Sequence, residues 1–269
     1  MHQHLLLDEA ASLVEDGMTI ALGGMTMYRR PTAFVRALLR RNPRPKNLTL
    51  LCFTAGYESD LLVGAGCVSA IRSCYFGLES FGFAPMFTEA AQKGVLQIIE
   101  ETEASLALGV RAGIAGVGYM PSHAWVGTDM PQLRPDVMRT QDPYSGEELI
   151  AFPAINCDVA VIHGLEADYN GNIKINNNAG VDVELIYLAD RVIATVERLV
   201  EESTRSLDLM LIPAPGADYI VQTPKGAWPT SCYPEYPMAG SEIVKYIDAC
   251  NAGAFDRYLE DLLQTTQNW

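Results

Sequence analysis

Asp16–Pro31, DGMTIALGGMTMYRRP, is the stretch from which the rest of the chain can be read. Thr19-Ile20-Ala21-Leu22 is a short apolar run, the composition of a buried strand. It stops at Gly23-Gly24, where two residues without a Cβ let the backbone turn sharply and let another molecule approach the main chain. Pro31 suits the first position of a helix, because its missing N–H would have no intrahelical partner there. TAFVRALLRR follows, with Phe34/Leu38 and Val35/Leu39 at i,i+4 spacing. The local order is strand, glycine turn, short loop, helix. Arg29 and Arg30 fall at the positive end of that helix, where cations are disfavoured. Together with free helix N–H groups they make a place for an anion; the plainer reading has both side chains pointing into water.

Outward from this stretch, short apolar segments alternate with helical ones. An amphipathic helix is expected over 5–16, with Leu5, Leu6, Ala10 and Leu13 on one side. After the glycine turn come a strand over 47–53 opening into Ala55-Gly56, a short helix through 60–63, and a strand over 67–76 ending at Gly77. A helix over 84–93, a strand over 95–100 and a helix over 105–115 follow. This alternation predicts a mostly parallel sheet flanked by helices, with ligands at the carboxyl ends of its strands. Gly23-Gly24, Ala55-Gly56 and Gly77 all fall on that edge, although each glycine turn alone is ordinary turn chemistry. Residues 119–146, rich in Pro, Gly, Asp and Ser, read as a structureless covering loop. Later strands are expected over 148–152 and 159–163. A tight turn follows at Asn170-Gly171, then a helix end leading into a strand over 187–200, and two helices over 241–251 and 254–264.

The chain has 269 residues, 49% of them hydrophobic, enough for one large domain. Its formal charge of −14 argues against nucleic acid as a partner, because the phosphate backbone would repel it. The N-terminus carries His2, His4, Asp8 and Glu9 and does not read as a signal peptide. Longer apolar stretches are interrupted, so no membrane span is expected, and the protein is expected to be cytoplasmic. The six cysteines form no C-x-x-C pair and read as reduced thiols. His2 and His4 are expected in a frayed terminus, and His123 and His163 stand alone, so no metal site is expected.

Taken whole, Asp16–Pro31 resembles the glycine-rich signature of family I coenzyme A transferases. Asp16, Gly17, Ile20, Ala21, Leu22, Gly23, Gly24 and Pro31 match it; Met25 stands where the family has Phe, and Arg29 where it has a third Gly. The Arg form resembles the α subunits of glutaconate CoA-transferases more than the acetate or 3-oxoacid branches. Three later segments also resemble that family: the Ala167-Asp168 to Gly171-Asn172 turn; the Ala189, Asp190, Ile193, Val196, Glu197 segment; and the Pro224–Tyr236 loop with Gly226, Ala227, Pro229 and Cys232. The resemblance implies an α/β fold with a subsidiary strand layer, a single α-subunit domain over 1–269, acyl-CoA as substrate and no metal.

Moving CoA between carboxylic acids needs a nucleophile that carries first an acyl group and then a thioester, and a glutamate carboxylate does this. In the family that glutamate sits in an E-x-G context on the β half. Here only Glu15-Asp16-Gly17 fits, ahead of the first strand and away from the predicted pocket edge. The resemblance therefore implies an α subunit whose β partner carries the glutamate. Gly23, Gly24, Met25, Thr26 and Arg29 are the expected substrate-binding residues, positioning a dicarboxylic acyl group and balancing developing charge. Glu103 is the one catalytic candidate. Its plain role is to stabilise a helix start capped by Thr102. Its rival role follows from the α-type chains of steroid ring-opening CoA hydrolases, which carry a working acidic residue in this region. On that reading the scaffold performs hydrolysis or decarboxylation of an acyl-CoA, with Glu103 as base. A non-catalytic regulatory or binding module on the same sheet is a third reading.

Overall fold

The computed structural model describes residues 2–264. Its strands are β1 Gln3–His4, β2 Thr19–Leu22, β3 Leu48–Ala55, β4 Val68–Phe76, β5 Gln97–Glu100, β6 Tyr119–Ser122, β7 Met138–Gln141, β8 Glu148–Pro153, β9 Cys157–Asp168, β10 Ile173–Asn176, β11 Ala189–Val200, β12 Leu209–Ile212 and β13 Tyr219–Gln222. The helices are α1 Leu7–Ser12, α2 Thr32–Arg40, α3 Tyr57–Gly64, α4 Pro85–Lys93, α5 Glu103–Ala115, α6 Met130–Leu133, α7 Asp182–Leu188, α8 Gly240–Asn251 and α9 Phe255–Gln264.

The main sheet runs β1-β13-β11-β9-β2-β3-β4-β5, with every neighbouring pair parallel; β10 and β12 extend it antiparallel from β9. The expected α/β architecture, mostly parallel and helix-flanked with a subsidiary strand layer, is what the chain adopts. β2 lies in the middle, in register with β9 (Leu22 opposite Val161) and β3 (Ala21 opposite Leu51). A central parallel strand is covered on both faces, so it reads as a continuous apolar run rather than an alternating one. Ile20, Ala21 and Leu22 are all buried accordingly. On one side α2 seats both of its i,i+4 pairs, Phe34/Leu38 and Val35/Leu39, in the core. Each such side chain contributes about 1.5–3 kcal/mol on burial.

Three sequence expectations change. Residues 119–146 are not structureless: β6 and β7 flank β8 in a small antiparallel sheet. Its inner face, Ile150 and Phe152, packs on Trp125 and Val137, with the Trp125 and Phe152 rings edge-to-face at 4.9 Å. Four-residue strands, one of them broken by Pro121, carry too short a period-two pattern to read against turn residues. Arg134, also buried, ties this sheet to the end of β5 through Glu101 (2.7 Å) and the Glu100 carbonyl (2.9 Å). The N-terminus is not frayed at its third and fourth residues. β1 pairs with β13, where the Gln3 amide donates to the Asp218 carbonyl at 2.8 Å. That pairing takes up the residues before α1, which is a shorter helix than the expected 5–16.

Candidate functional site

The carboxyl edge of the sheet carries the glycine turns together. Gly23-Gly24 follows β2, Gly56 follows β3 and Gly77 follows β4. At Gly23 the need is space: a Cβ would stand 2.6 Å from Asp182 Oδ1 and 2.8 Å from Ile162 Cγ2. At Gly24 it is conformation, since φ is 77° and a Cβ would lie 2.5 Å from the Tyr28 carbonyl oxygen. The chain then doubles back. The Met25 amide donates to the Tyr28 carbonyl at 2.9 Å, and the Tyr28 amide to the Met25 carbonyl at 2.8 Å.

Two non-glycine residues here adopt left-handed backbone, Thr26 with φ 47° and Arg29 with φ 51°. Such residues cost about 1–3 kcal/mol each and persist where their surroundings over-determine them, typically around functional sites. Arg29 stands where the family pattern has its third glycine, and the positive φ supplies the physical reason for a glycine there. Thr26 is held by its amide donating to Thr54 Oγ1 at 2.8 Å, and its carbonyl sits against Gly56, where a Cβ would approach to 2.3 Å.

The arginines do not make a solvent-facing anion site. Both side chains are fully buried. Arg29 donates through Nη1 to Asp182 Oδ2 (2.8 Å) and the His163 carbonyl (2.8 Å), through Nε to Asn176 Oδ1 (2.9 Å), and through Nη2 to the Asn178 carbonyl (2.6 Å). Asp182 in turn takes the Gly24 amide on Oδ1 at 2.7 Å. Arg29 thus holds the glycine turn from behind. Arg30 pairs with buried Glu58 at 2.6 Å and donates to the Thr54 carbonyl at 2.9 Å. A cation at a helix N-terminus with carboxylates in the core beside it turns inward, because a full opposite charge outweighs the helix dipole of a few tenths of a kcal/mol to about 1. Nothing near Arg29 in sequence signals this, since Asp182 lies 153 residues away.

The turn's amides are committed as well. Gly23 donates to the Val161 carbonyl, Gly24 to Asp182, Met25 to Tyr28 and Thr26 to Thr54. All four N–H groups thus spend their hydrogen bonds inside the chain. The turn presents instead the half-buried Met25 side chain and Tyr28, 42% exposed; Thr26 between them is buried, and its hydroxyl has no partner among the described residues.

Glu103 is the first residue of α5 and is exposed. Thr102 caps that helix as expected, its Oγ1 accepting from the Ser105 amide at 3.2 Å. The neighbouring Glu101, which stands beside Glu103 at the same strand end and helix start, is the buried one: Arg72 and Arg134 both donate to its Oε1, at 2.9 and 2.7 Å. Between Glu103 and the glycine turn lie three strand spacings, β2 to β5, or about 14 Å. Met25 and Glu103 therefore share an edge but not a contact. Glu15 is exposed ahead of β2, at the opposite edge. A cavity of about 560 Å³ also lies at that opposite edge, lined by Arg40, Arg41, Arg44 and Lys46. Arg40 there pairs with Asp8, and Arg41 donates to the last carbonyls around α1, at Ala11 (3.0 Å) and Val14.

Behind the turn, His163, Glu197 and Cys232 bring a nitrogen, an oxygen and a sulfur within 4.8 Å of one another, the donor set of a metal site. Each His and Glu donor atom is already engaged. His163 Nε2 faces Glu197 Oε1 and Nδ1 faces Thr195 Oγ1, both at 2.8 Å, while Glu197 Oε2 takes the Lys225 amide at 2.6 Å. Burial pushes the Cys232 thiol up to about 12, with Glu197 adding to the effect, so it stays protonated. Glu197 shows the converse balance: burial alone would raise it, but donors led by His163 bring it below the usual carboxylate range.

With this geometry in view, comparison with known proteins is informative. Residues 5–223 match the coenzyme A transferase family. The A-type subunit of a 3-oxoadipate CoA-transferase from Pseudomonas knackmussii is 32% identical over 240 residues, covering 88% of this chain and 84% of that one. The cholesterol ring-cleaving hydrolase IpdA subunit of Mycobacterium tuberculosis is 32% identical over 242 residues, with 86% and 82% covered. Among solved structures, glutaconate coenzyme A-transferase from Acidaminococcus fermentans superposes with a TM-score of 0.87 at 25% identity, covering 98% and 89%. A cysteine-to-serine variant of the decarboxylase AibA/AibB superposes at 0.88 with 27% identity, covering 97% and 98%. Relatives named for transfer, hydrolysis and decarboxylation all match this chain over most of its length, and on these matches it belongs to the coenzyme A transferase family, on the A-type side of its two-subunit members.

Proposed function

We propose that the chain is the α subunit of a two-chain, cytoplasmic acyl-CoA transferase that moves CoA between carboxylic acids, with a dicarboxylic acyl group as one substrate. The carrying observation is that the carboxyl edge holds a rigid glycine turn, while the chain's one E-x-G glutamate, Glu15, lies at the other edge. The nucleophile is then a glutamate of a β subunit. Its carboxylate attacks the acyl-CoA carbonyl, and the CoA thiolate leaves as an acyl–glutamyl anhydride forms. The thiolate returns to the glutamyl carbonyl and expels the first acid as its carboxylate, leaving a glutamyl-CoA thioester. The incoming acid repeats the sequence in reverse.

In this scheme the α chain supplies a wall that does not move. Met25 and the Thr26 hydroxyl touch the acyl group, Gly23 and Gly24 keep side chains out of its way, and Arg29 fixes the turn through Asp182. Holding reacting groups in place is itself a large part of catalysis in group transfer. A second reading is favoured by one observation: Glu103 stands exposed at the same edge with no hydrogen bond or ion pair among the described residues. A carboxylate so placed can take a proton from water or from a carbon acid, which would direct the same scaffold to hydrolysis or decarboxylation. The test of the primary reading is a CoA-exchange assay over a panel of acids. The purified chain alone is expected to be inactive and to gain activity on mixing with its β subunit. Robust transfer by the single chain overturns the assignment.

A further inference from the structure

The strained turn is braced from behind by side chains that the proposed chemistry does not use. Glu197, on β11, is nearly buried and accepts three hydrogen bonds: from His163 Nε2 (2.8 Å), from the Tyr236 hydroxyl (2.6 Å) and from the Lys225 amide (2.6 Å). Two routes lead from it to Arg29. The first is short: the His163 ring meets Glu197, and the His163 carbonyl accepts from the Arg29 guanidinium at 2.8 Å. The second runs through the loop 224–236. Lys225 and Tyr236 fasten that loop to Glu197, and the Ala227 amide fastens it again to the Tyr236 hydroxyl at 3.1 Å. The loop then grips the turn and the start of α2. The Ser231 carbonyl accepts from the Arg29 amide (2.6 Å), the Ser231 amide donates to the Met27 carbonyl (2.9 Å), and the Gly226 carbonyl accepts from the Ala33 amide (2.8 Å).

We propose that Glu197 is a positioning residue that holds the 24–30 turn in its left-handed geometry, through His163 to the Arg29 side chain and through the 224–236 loop to the Arg29 backbone. Thr26 and Arg29 both carry positive φ, a geometry that relaxes unless neighbours impose it. A carboxylate suits the hub because it only accepts, and all three of its partners here donate. Glutamine of the same shape puts an NH₂ where one oxygen stood: facing the Lys225 amide it loses that bond, and facing His163 and Tyr236 it requires both to turn round and accept, so the hub cannot keep its present hydrogen-bond pattern. A hub of this kind couples its members, and removing one partner exposes the others. That the braced turn lines a substrate pocket rests on the proposed function; the bracing itself does not.

The experiment is residue-resolved amide hydrogen exchange on the full chain, comparing the unmodified protein with Glu197→Gln and Tyr236→Phe. The reporters are the Gly24 amide, bonded to Asp182, and the Arg29 amide, bonded to Ser231. In Glu197→Gln both are expected to exchange at least tenfold faster, while amides of β4 and α8 keep their rates. Tyr236→Phe is expected to give the same pattern at smaller amplitude. Acceleration confined to Lys225 and Ala227 overturns the proposal, as does uniform acceleration across the chain in Tyr236→Phe, which would mean general loss of stability. If Glu197→Gln does not fold, Tyr236→Phe decides by the same criterion. Exchange is read without substrate, so its outcome stands apart from whether the chain serves CoA transfer.

Discussion

Replacing Arg29 separates the role read from the sequence from the role set by the fold. As a substrate-binding cation, Arg29 would on substitution weaken binding and leave folding intact. In the structure Arg29 and Asp182 are both fully buried, 2.8 Å apart, and Arg29 makes three further hydrogen bonds to Asn176, His163 and Asn178. Arg29→Ala leaves the Asp182 charge in the core without its counter-ion. Breaking a buried pair from one side costs about 3–5 kcal/mol. Alanine keeps the strained φ of 51°, so no relief offsets that loss. Glycine does relieve it: a left-handed conformation costs a non-glycine residue about 1–2 kcal/mol, so Arg29→Gly should be less damaging than Arg29→Ala by about that amount. The assay is urea denaturation of the three proteins at neutral pH, beside substrate KM in the assembled enzyme. The expected order of stability is Arg29, then Gly, then Ala. An Arg29→Ala protein within about 1 kcal/mol of the parent, whatever its KM, would refute the buttress argument.

Two further perturbations test other parts of the molecule. Glu103→Gln should change stability by less than about 1 kcal/mol, because a first-turn carboxylate contributes only its interaction with the helix dipole. Single-turnover rates of the α/β complex then decide its role: near-parent turnover fits the transferase, whereas a loss of about a hundredfold with an unchanged melt moves the protein to the hydrolase-like reading. Asp60 gives a pH signature. Burial pushes it up to about 6, although the Tyr246 hydroxyl and the Phe87 and Met86 amides donate to it. Its folded value thus exceeds the unfolded value of about 3.9, so the native state holds the proton more tightly and stability falls as pH rises between the two, by about 3 kcal/mol in all. Denaturant titrations from pH 4 to 7 should show that decline, and Asp60→Asn should remove it; an identical pH dependence in the variant would exclude Asp60 as its source.

What was legible in the sequence was local or periodic. The Thr19–Leu22 run, the two glycines and Pro31 announce a strand, turn and helix because strand burial, the need for positive φ and the lost proline N–H act within a few residues. Thr102 as a cap was legible for the same reason. The repetition of such units implied a parallel sheet with its glycine turns on one edge, and the motif order carried the family. What only the tertiary structure decided was the direction in which charges point and what holds the turn. Arg29 reads as an anion ligand when its neighbours in sequence are the only ones visible. It becomes a buttress because β9, the end of β10 and the segment after it, and the start of α7 bring His163, Asn176, Asn178 and Asp182 around it, more than 130 positions along the chain. The same holds for Glu101 against Arg134 and for Glu197 against His163, Lys225 and Tyr236. Burial changes the sign of the argument: a charge that is nearly indifferent to its neighbours in water must find a partner once desolvated, and the partner is chosen by topology, which local sequence does not encode.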